Sequence, residues 1–324
     1  MVTTVKSYRA TLADVARRAG VSRAAASRAI NGSYGVSEAV RERVRDVAAE
    51  LGFEPHPVAR ALATGRASAS PRERIEILIV DPDPDALSAK PFYGRVLTGA
   101  LRALGDRNIS LELRRVPAPP VSEADPPFGR LLINMPGAAG AAYARRARTV
   151  SLGRSAPGVD FVAPDNDGGG YQAAVHLVTT GRRRIGAVFG PPTPCADERK
   201  AGFLRVIAGA GQTVLSADGD FTRARAYAAT KELLARDPGL DAVFAACDVT
   251  AMGVLQALRE AGRRVPGDVA VVGFDGSALA EAADLSSVYM PVEDEAAAAV
   301  HHLLDPARPA PGRLPTRLKV RGSS

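Results

Sequence analysis

Arg23, Ser27 and Arg28 lie in "SRAAASRAING", Ser22 to Gly32, where arginines stand among alanines and no acid is at hand. Small residues let a backbone come close to a partner surface. Guanidinium groups add long, forked donors suited to phosphate oxygens and guanine edges. At helical spacing Ala26, Ala29 and Ile30 point inward, leaving Arg23, Ala24, Ser27, Arg28 and Asn31 on the outer face. The chemistry on offer is recognition of a polyanion.

The flanking elements are those needed to hold such a helix. Thr11, three residues before Asp14, opens a capping box, and Leu12, Val15, Ala16 and Ala19 fall on one helical face. Gly20 supplies the left-handed turn that ends this first helix, Val21 returns to the core, and Ser22 caps the second helix. A third helix runs from Ser37 through Val40, Val44, Val47, Ala48 and Leu51 to Gly52. After Pro55 and Pro57, residues Val58 to Leu62 make two turns before Gly65. So short a helix has to be ordered by a partner. The run from Ala67 to Arg72 then reads as a linker. Residues 1–66 carry eleven lysines and arginines against six acids, so five of the chain's seven net positive charges sit in its first fifth. A small bundle with an ordinary basic face would explain neither this asymmetry nor the helix-glycine-helix spacing.

The other 258 residues have a different pattern. From Ile75 onward, apolar runs at 75–80, 130–135, 184–190, 242–248 and 269–275 alternate with helical segments such as Tyr93–Leu104, Gly170–Thr179, Glu198–Ala208, Arg223–Ala235 and Thr250–Ala261. That alternation predicts an α/β fold of doubly wound parallel sheets, and the length predicts two lobes. Ligands of such sheets bind beyond the carboxyl ends of the strands, where Asp248, Asp275 and the "DPDP" at Asp81 stand; helix capping is the other reading of each acid. No phosphate-cradling glycine motif follows a strand, and no nucleophile elbow or paired catalytic carboxylates can be defended. Cys195 and Cys247 lack metal-site spacing, as do the four histidines. A non-enzymatic protein without cofactor is expected. No run approaches a membrane span, so a cytoplasmic location is expected. The basic runs Arg145–Arg148 and Arg182–Arg184 read as solvated turns.

"TLADVARRAGVS", "SRAING", "VRERVRDVAAELGF" and "ARALATGR" together resemble the DNA-binding headpiece of the lactose/galactose repressor family of bacterial transcription regulators. The resemblance implies that Thr11, Ser22, Arg23, Ala24, Ser27, Arg28 and Asn31 face DNA, with Arg23, Ala24 and Arg28 reading bases. Ala59 and Leu62 would belong to a hinge helix, with Leu62 wedged into the minor groove to kink the duplex. The family's core, similar to periplasmic sugar-binding proteins, is resembled by "DNDGGGYQAAVHL", "RRRIGAVFG", "ERKAGF", "GDF", "VVGFDGSALA" and "LPTRLKVRG". That likeness implies an effector cleft holding Phe92, Arg199, Phe221, Cys247, Asp248 and Asp275.

The chain departs from the family pattern at four places. His56 and a second proline follow Pro55, Cys247 replaces a usual asparagine, and Met290 a frequent polar residue. Val116 to Arg130 is proline-rich where a crossover helix is usual, so the first lobe is expected to be trimmed. Losing two polar positions implies an effector with one apolar edge to lay on Phe221. The expected organisation is a helix-turn-helix unit at 1–54, hinge and linker at 55–74 and a two-lobed effector-binding and dimerisation core at 75–324. The expected function is a regulator, expected to repress, that binds a pseudo-palindromic double-stranded operator as a homodimer under control of a sugar-like small molecule. The alternative is a DNA-binding regulator whose core only dimerises.

Overall fold

The computed structural model describes residues 11–30, 35–51, 53, 74–81, 83, 85–118, 126–135, 137–153 and 158–324. The chain divides into two compact units, Met1–Ser70 and Pro71–Ser324. Asn31, His56, Ala59, Leu62 and the expected hinge helix lie outside the described residues.

In the first unit, α1 (Leu12–Arg18), α2 (Arg23–Ile30) and α3 (Glu38–Glu50) close one small core. Thr11 and Asp14 form the capping box, the Asp14 carboxylate accepting from the Thr11 backbone N–H at 3.0 Å. Gly20 stands at φ +67°, the conformation that turns the chain, and Ser22 Oγ accepts from the Ala25 N–H at 3.1 Å. Val15, Ala16, Ala19, Ala26, Ala29, Val44 and Val47 are buried together, as the helical spacing requires.

The second unit contains two six-stranded sheets. The first lobe has the order β11-β5-β4-β3-β1-β2, all parallel. Its strands are β1 (Arg74–Val80), β2 (Ser110–Val116), β3 (Gly129–Ile133), β4 (Arg148–Leu152), β5 (Asp160–Pro164) and β11 (Gly312–Leu314). The second lobe has the order β12-β10-β9-β8-β6-β7, and only β12 runs antiparallel. Its strands are β6 (Ile185–Phe189), β7 (Val214–Asp218), β8 (Ala242–Ala245), β9 (Ala270–Asp275), β10 (Ser286–Tyr289) and β12 (Arg317–Lys319). Strands β3, β6 and β8 are buried along their whole length because helices cover both faces, which is why they read as unbroken apolar runs.

Of the helices, α4 (Ala86–Ala89), α5 (Pro91–Leu104) and α6 (Gly137–Ala144) belong to the first lobe. Helices α7 (Asn166–Thr179), α8 (Pro194–Gly209), α9 (Arg223–Arg236), α10 (Asp248–Glu260) and α11 (Ala278–Ala282) belong to the second. The lobes exchange chain. Helix α7 leaves the first-lobe strand β5 and packs on β10 and β12, whereas α12 (Val292–Leu304) leaves β10 and packs on α5 and on β3, β4 and β5. The chain crosses once more between β11 and β12, so three crossings join the lobes.

One expectation is refined and one needs correction. The first-lobe sheet keeps six strands, and the expected trimming falls on its helices. What is missing is cover, since no helix lies between β2 and β3 among the described residues. On that sheet Glu76 and Arg130 stand opposite each other in register, and the buried Arg130 Nε donates to Glu76 at 2.6 Å with its guanidinium 4.7 Å from the Tyr143 ring. The run Arg182–Arg184 is also more than a solvated turn. Arg182 donates to the carbonyls of Asp241 and Pro266, and the Arg183 and Arg184 backbone N–H groups donate to the Asp241 carboxylate. These bonds fasten the start of β6 to the neighbouring loops. In the other run, Arg148 opens β4, donates to the Leu303 carbonyl and stacks over Phe128.

Candidate functional site

On α2 the expected outer face is the observed one. Ser22, Arg23, Ala24 and Arg28 are exposed, Ser27 is half-buried, and Thr11 is exposed at the start of α1. Arg17, Arg18 and Arg41 pair with Asp14, Glu50 and Glu38. Among the described residues Arg23 and Arg28 form no ion pair, and the first turn of α2 holds no acid. The helix N-terminus and two free guanidinium groups therefore face outward together, a favourable surface for phosphate.

The second candidate site is a cavity of about 450 Å³ between the lobes of the larger unit. Phe92 reaches it from α5, Arg199 from α8, Phe221 from the turn before α9, Cys247 from the cap of α10, Asp275 from the end of β9 and Met290 from the end of β10. Sequence reading thus brings five of its six cleft residues to one cavity.

Asp248 is the exception. It is fully buried behind the wall, where its carboxylate accepts from the Ser277 N–H and Oγ and from Ser287 Oγ, all within 2.7 Å. It ties α10 to the start of α11 and to β10; the cap of α10 is Cys247, so Asp248 is an internal structural acid that neither caps that helix nor lines the cavity. Burial raises its pKa.

Arg199 is the organising charge of the cavity. Two glycines admit it: a Cβ on Gly170 would stand 2.1 Å from the Arg199 carbonyl oxygen, and one on Gly202 would stand 1.9 Å from that of Asp167, so only glycine permits this approach of α7 and α8. The Arg199 guanidinium donates to Asn166 Oδ1 at 2.9 Å, to the Ala246 carbonyl at 2.6 Å and to Asp275 Oδ1 at 3.4 Å. A further bond runs to Met290 Sδ at 3.1 Å, and the group lies 3.9 Å from the Phe274 ring centroid. Most of its donors are therefore already used by the protein, which holds it fixed for whatever enters.

Asp275 and Phe221 stand on strained backbone, at φ +109° and φ +52°, and Asp220 before Phe221 is at φ +50°. Such conformations cost non-glycine residues on the order of 1–3 kcal/mol each and persist where the surroundings enforce them. Gly190 leaves room for the Phe221 ring, whose Cε1 would be 2.3 Å from an added Cβ. Burial pushes the Asp275 carboxyl up to about 7 against the opposing pull of Arg199, with Asp248 adding to the rise. Cys247 keeps a capping role in place of an amide: its Sγ accepts from the Thr250 N–H at 3.4 Å, and burial pushes the thiol up to about 12.

Sequence reading missed four charged residues of the cavity. Arg95 of α5 spans the lobes, donating to the carbonyls of Asp275 and Met290 at 3.0 and 2.8 Å while its fork holds Glu293 at 2.7 and 2.8 Å. Glu198 accepts from Arg313 of β11 at 2.6 Å, a second tie between lobes. Lys90 donates to the buried Asp81 at 2.7 Å, beside Tyr93, which donates to the same carboxylate. Glu295 of α12 is buried at the cavity wall, and burial pushes its carboxyl up to about 8. Only the first turn of an amphipathic helix marked Glu295 in the sequence, and such a turn ordinarily carries acids for its dipole. Among the described residues no group of acids, histidines and cysteines could hold a metal, and no helix is long and apolar enough to cross a membrane.

Residues 11–56 match the bacterial regulatory proteins, lacI family, and residues 174–324 match the periplasmic binding protein-like domain. The HTH-type transcriptional regulator CelR of Thermobifida fusca is 38% identical over 307 residues, 88% of either chain. The HTH-type transcriptional regulator reg1 of Streptomyces lividans is 31% identical over 97% of this chain and 96% of its own. Among solved structures, a transcriptional regulator CelR-cellobiose complex superposes with a TM-score of 0.68 at 34% identity, covering 98% of this chain and 100% of that one. The lac repressor dimer bound to operator and an anti-inducer has a TM-score of 0.69 over 98% of this chain and 99% of its own; at 22% identity this is a likeness of fold.

Proposed function

The chain belongs to the lacI family of bacterial regulatory proteins, and from that membership we propose how this member works. It is a DNA-binding transcriptional regulator under the control of a small-molecule effector. In our reading Thr11, Ser22, Arg23, Ala24, Ser27, Arg28 and Asn31 meet the operator, and Ala59 and Leu62 belong to the hinge. Phe92, Arg199, Phe221, Cys247 and Asp275 meet the effector. The division 1–54, 55–74 and 75–324 assigns DNA reading, hinge and effector-binding core to successive segments, and the protein acts in the cytoplasm as a homodimer and without catalysis.

The observation that carries this reading is the convergence of a fixed cation, an acid and an aromatic face on one cavity joined to both lobes. Its size suits a small metabolite. A similar regulator, CelR, is solved with cellobiose, and we extend its ligand class, a short β-linked oligosaccharide, to this chain. The expectation of a less polar pocket is revised: Cys247 and Met290 remove hydrogen-bonding groups, but Glu295, Glu198, Lys90 and Arg95 supply others. Phe221 remains as the face on which an apolar edge of a sugar ring can lie.

The test is a thermal melt of the full chain with cellobiose, glucose and xylobiose. A native-state binder at a hundred times its Kd stabilises by about 2.7 kcal/mol, enough to raise the midpoint by several degrees. Arg199→Ala or Asp275→Ala should abolish the shift. Were no sugar to move the midpoint, the core would be a dimerisation unit only.

A further inference from the structure

Glu295 has features that packing alone does not explain. It sits in the first turn of α12, beside the alanines that pack this helix on the first-lobe sheet, and is 1% exposed. Its Oε1 has no hydrogen-bond partner among the described residues, although Arg95 and Arg199 are close enough to act on it through space. Both arginines are engaged elsewhere, Arg95 with Glu293 and two carbonyls and Arg199 with Asn166, Ala246, Asp275 and Met290. A buried carboxyl oxygen without a partner is costly to keep, yet the residue lines the cavity, so a ligand there can supply what the fold does not.

We infer that Glu295 is a specificity-determining residue of the effector cavity, hydrogen-bonding a hydroxyl group on the edge of the ligand that faces α12. The inference rests on the effector reading above and deepens it. A hydroxyl fits better than an ammonium group, because it can both donate to and accept from a carboxyl. Two guanidinium groups near the same cavity would also oppose a cation. The chemistry complements the altered opposite wall. Cys247 and Met290 present sulfur, and the polar edge of the ligand is then turned toward α12, leaving its less polar edge to the sulfur atoms and Phe221. Raised toward neutrality by burial, the Glu295 carboxyl retains a proton to donate at ordinary pH.

The experiment uses the full chain with Glu295→Gln and Glu295→Leu, read by thermal melts without ligand and by calorimetry with cellobiose. Without ligand, Glu295→Leu should melt at or above the wild-type midpoint, since it removes an unpartnered polar group. With cellobiose, Glu295→Leu should weaken binding about 10- to 100-fold, whereas Glu295→Gln, which keeps a donor and an acceptor, should stay within about fivefold. A lower ligand-free midpoint for Glu295→Leu would show a structural role and overturn the inference. So would wild-type affinity in that variant. If the wild-type chain itself failed to bind cellobiose, the sugar reading would fall, and this assignment with it; the two failures differ in which protein shows them.

Discussion

At the scale of single residues, Arg23 and Arg28 are exposed and, among the described residues, without ion pairs, while Arg17 and Arg18 on the preceding helix are paired. Arg28→Ala is expected to weaken operator binding by about 1–3 kcal/mol per half-site and to relax preference at one base position, as measured by binding to a set of singly substituted duplexes. The buried acids make a pH prediction. The folded state raises the Glu295 carboxyl to about 8, so it holds a proton that the unfolded chain has already released. Stability from this group is full below the ordinary glutamate range and is lost as pH rises through about 8. Arg95 and Arg199 temper the loss, and Glu293 and Asp294 add to it. Chemical denaturation should therefore show Glu295→Gln gaining on wild type between pH 5 and 8, and parallel curves would contradict the assignment. Arg199 and Asp275 were legible in the sequence through motif order, and Asp275 also through its place at a strand end. Glu295 was not, because an acid in the first turns of a helix looks the same whether it faces water or a cavity.

At the scale of elements, periodicity carries furthest where burial is one-sided or complete. The headpiece helices and the strands β1, β3, β6, β8 and β9 were all readable, their apolar residues falling on one stripe or forming unbroken runs. Strands such as β2 ("SLELRRV") and β7 ("VLSAD") were not, since they are edge strands with charged or half-exposed positions. Nor could local pattern show that α7 and α12 pack on the lobe opposite the strand each follows, which depends on contacts distant in sequence. The contact of α7 with α8 gives a prediction at this scale. Gly202→Ala would drive a methyl group into the Asp167 backbone, and overpacking of this kind costs about 1–3 kcal/mol. A lowered melting midpoint, together with weaker effector binding through displaced Arg199, is expected; an unchanged midpoint would show that the helices can slide apart freely. For the proposed hinge, Leu62→Ala should reduce operator bending in circular-permutation gels, and an unchanged bend would refute the wedge.

At the scale of the whole molecule, the two units divide the chemistry. The chain's net positive charge is concentrated in the segment that carries the helix-turn-helix pattern, and the larger unit holds the cavity. Arg95, Arg313 and the three chain crossings link one lobe to the other, so a ligand held by both lobes biases how they sit together. One short recognition helix reads few base pairs, and a homodimer doubles them; footprints should show two half-sites about one helical turn, roughly 10 bp, apart. Operator affinity should also fall steeply with salt as counterions are released. The most direct measurement is fluorescence anisotropy of the full chain on a duplex selected from a randomised pool, titrated with cellobiose at fixed salt. Coupling of cavity to headpiece predicts an operator affinity that changes at least about tenfold at saturating sugar, a coupling free energy of about 1.4 kcal/mol, and does not change in Arg199→Ala. An operator affinity indifferent to a sugar that demonstrably stabilises the core would contradict the account.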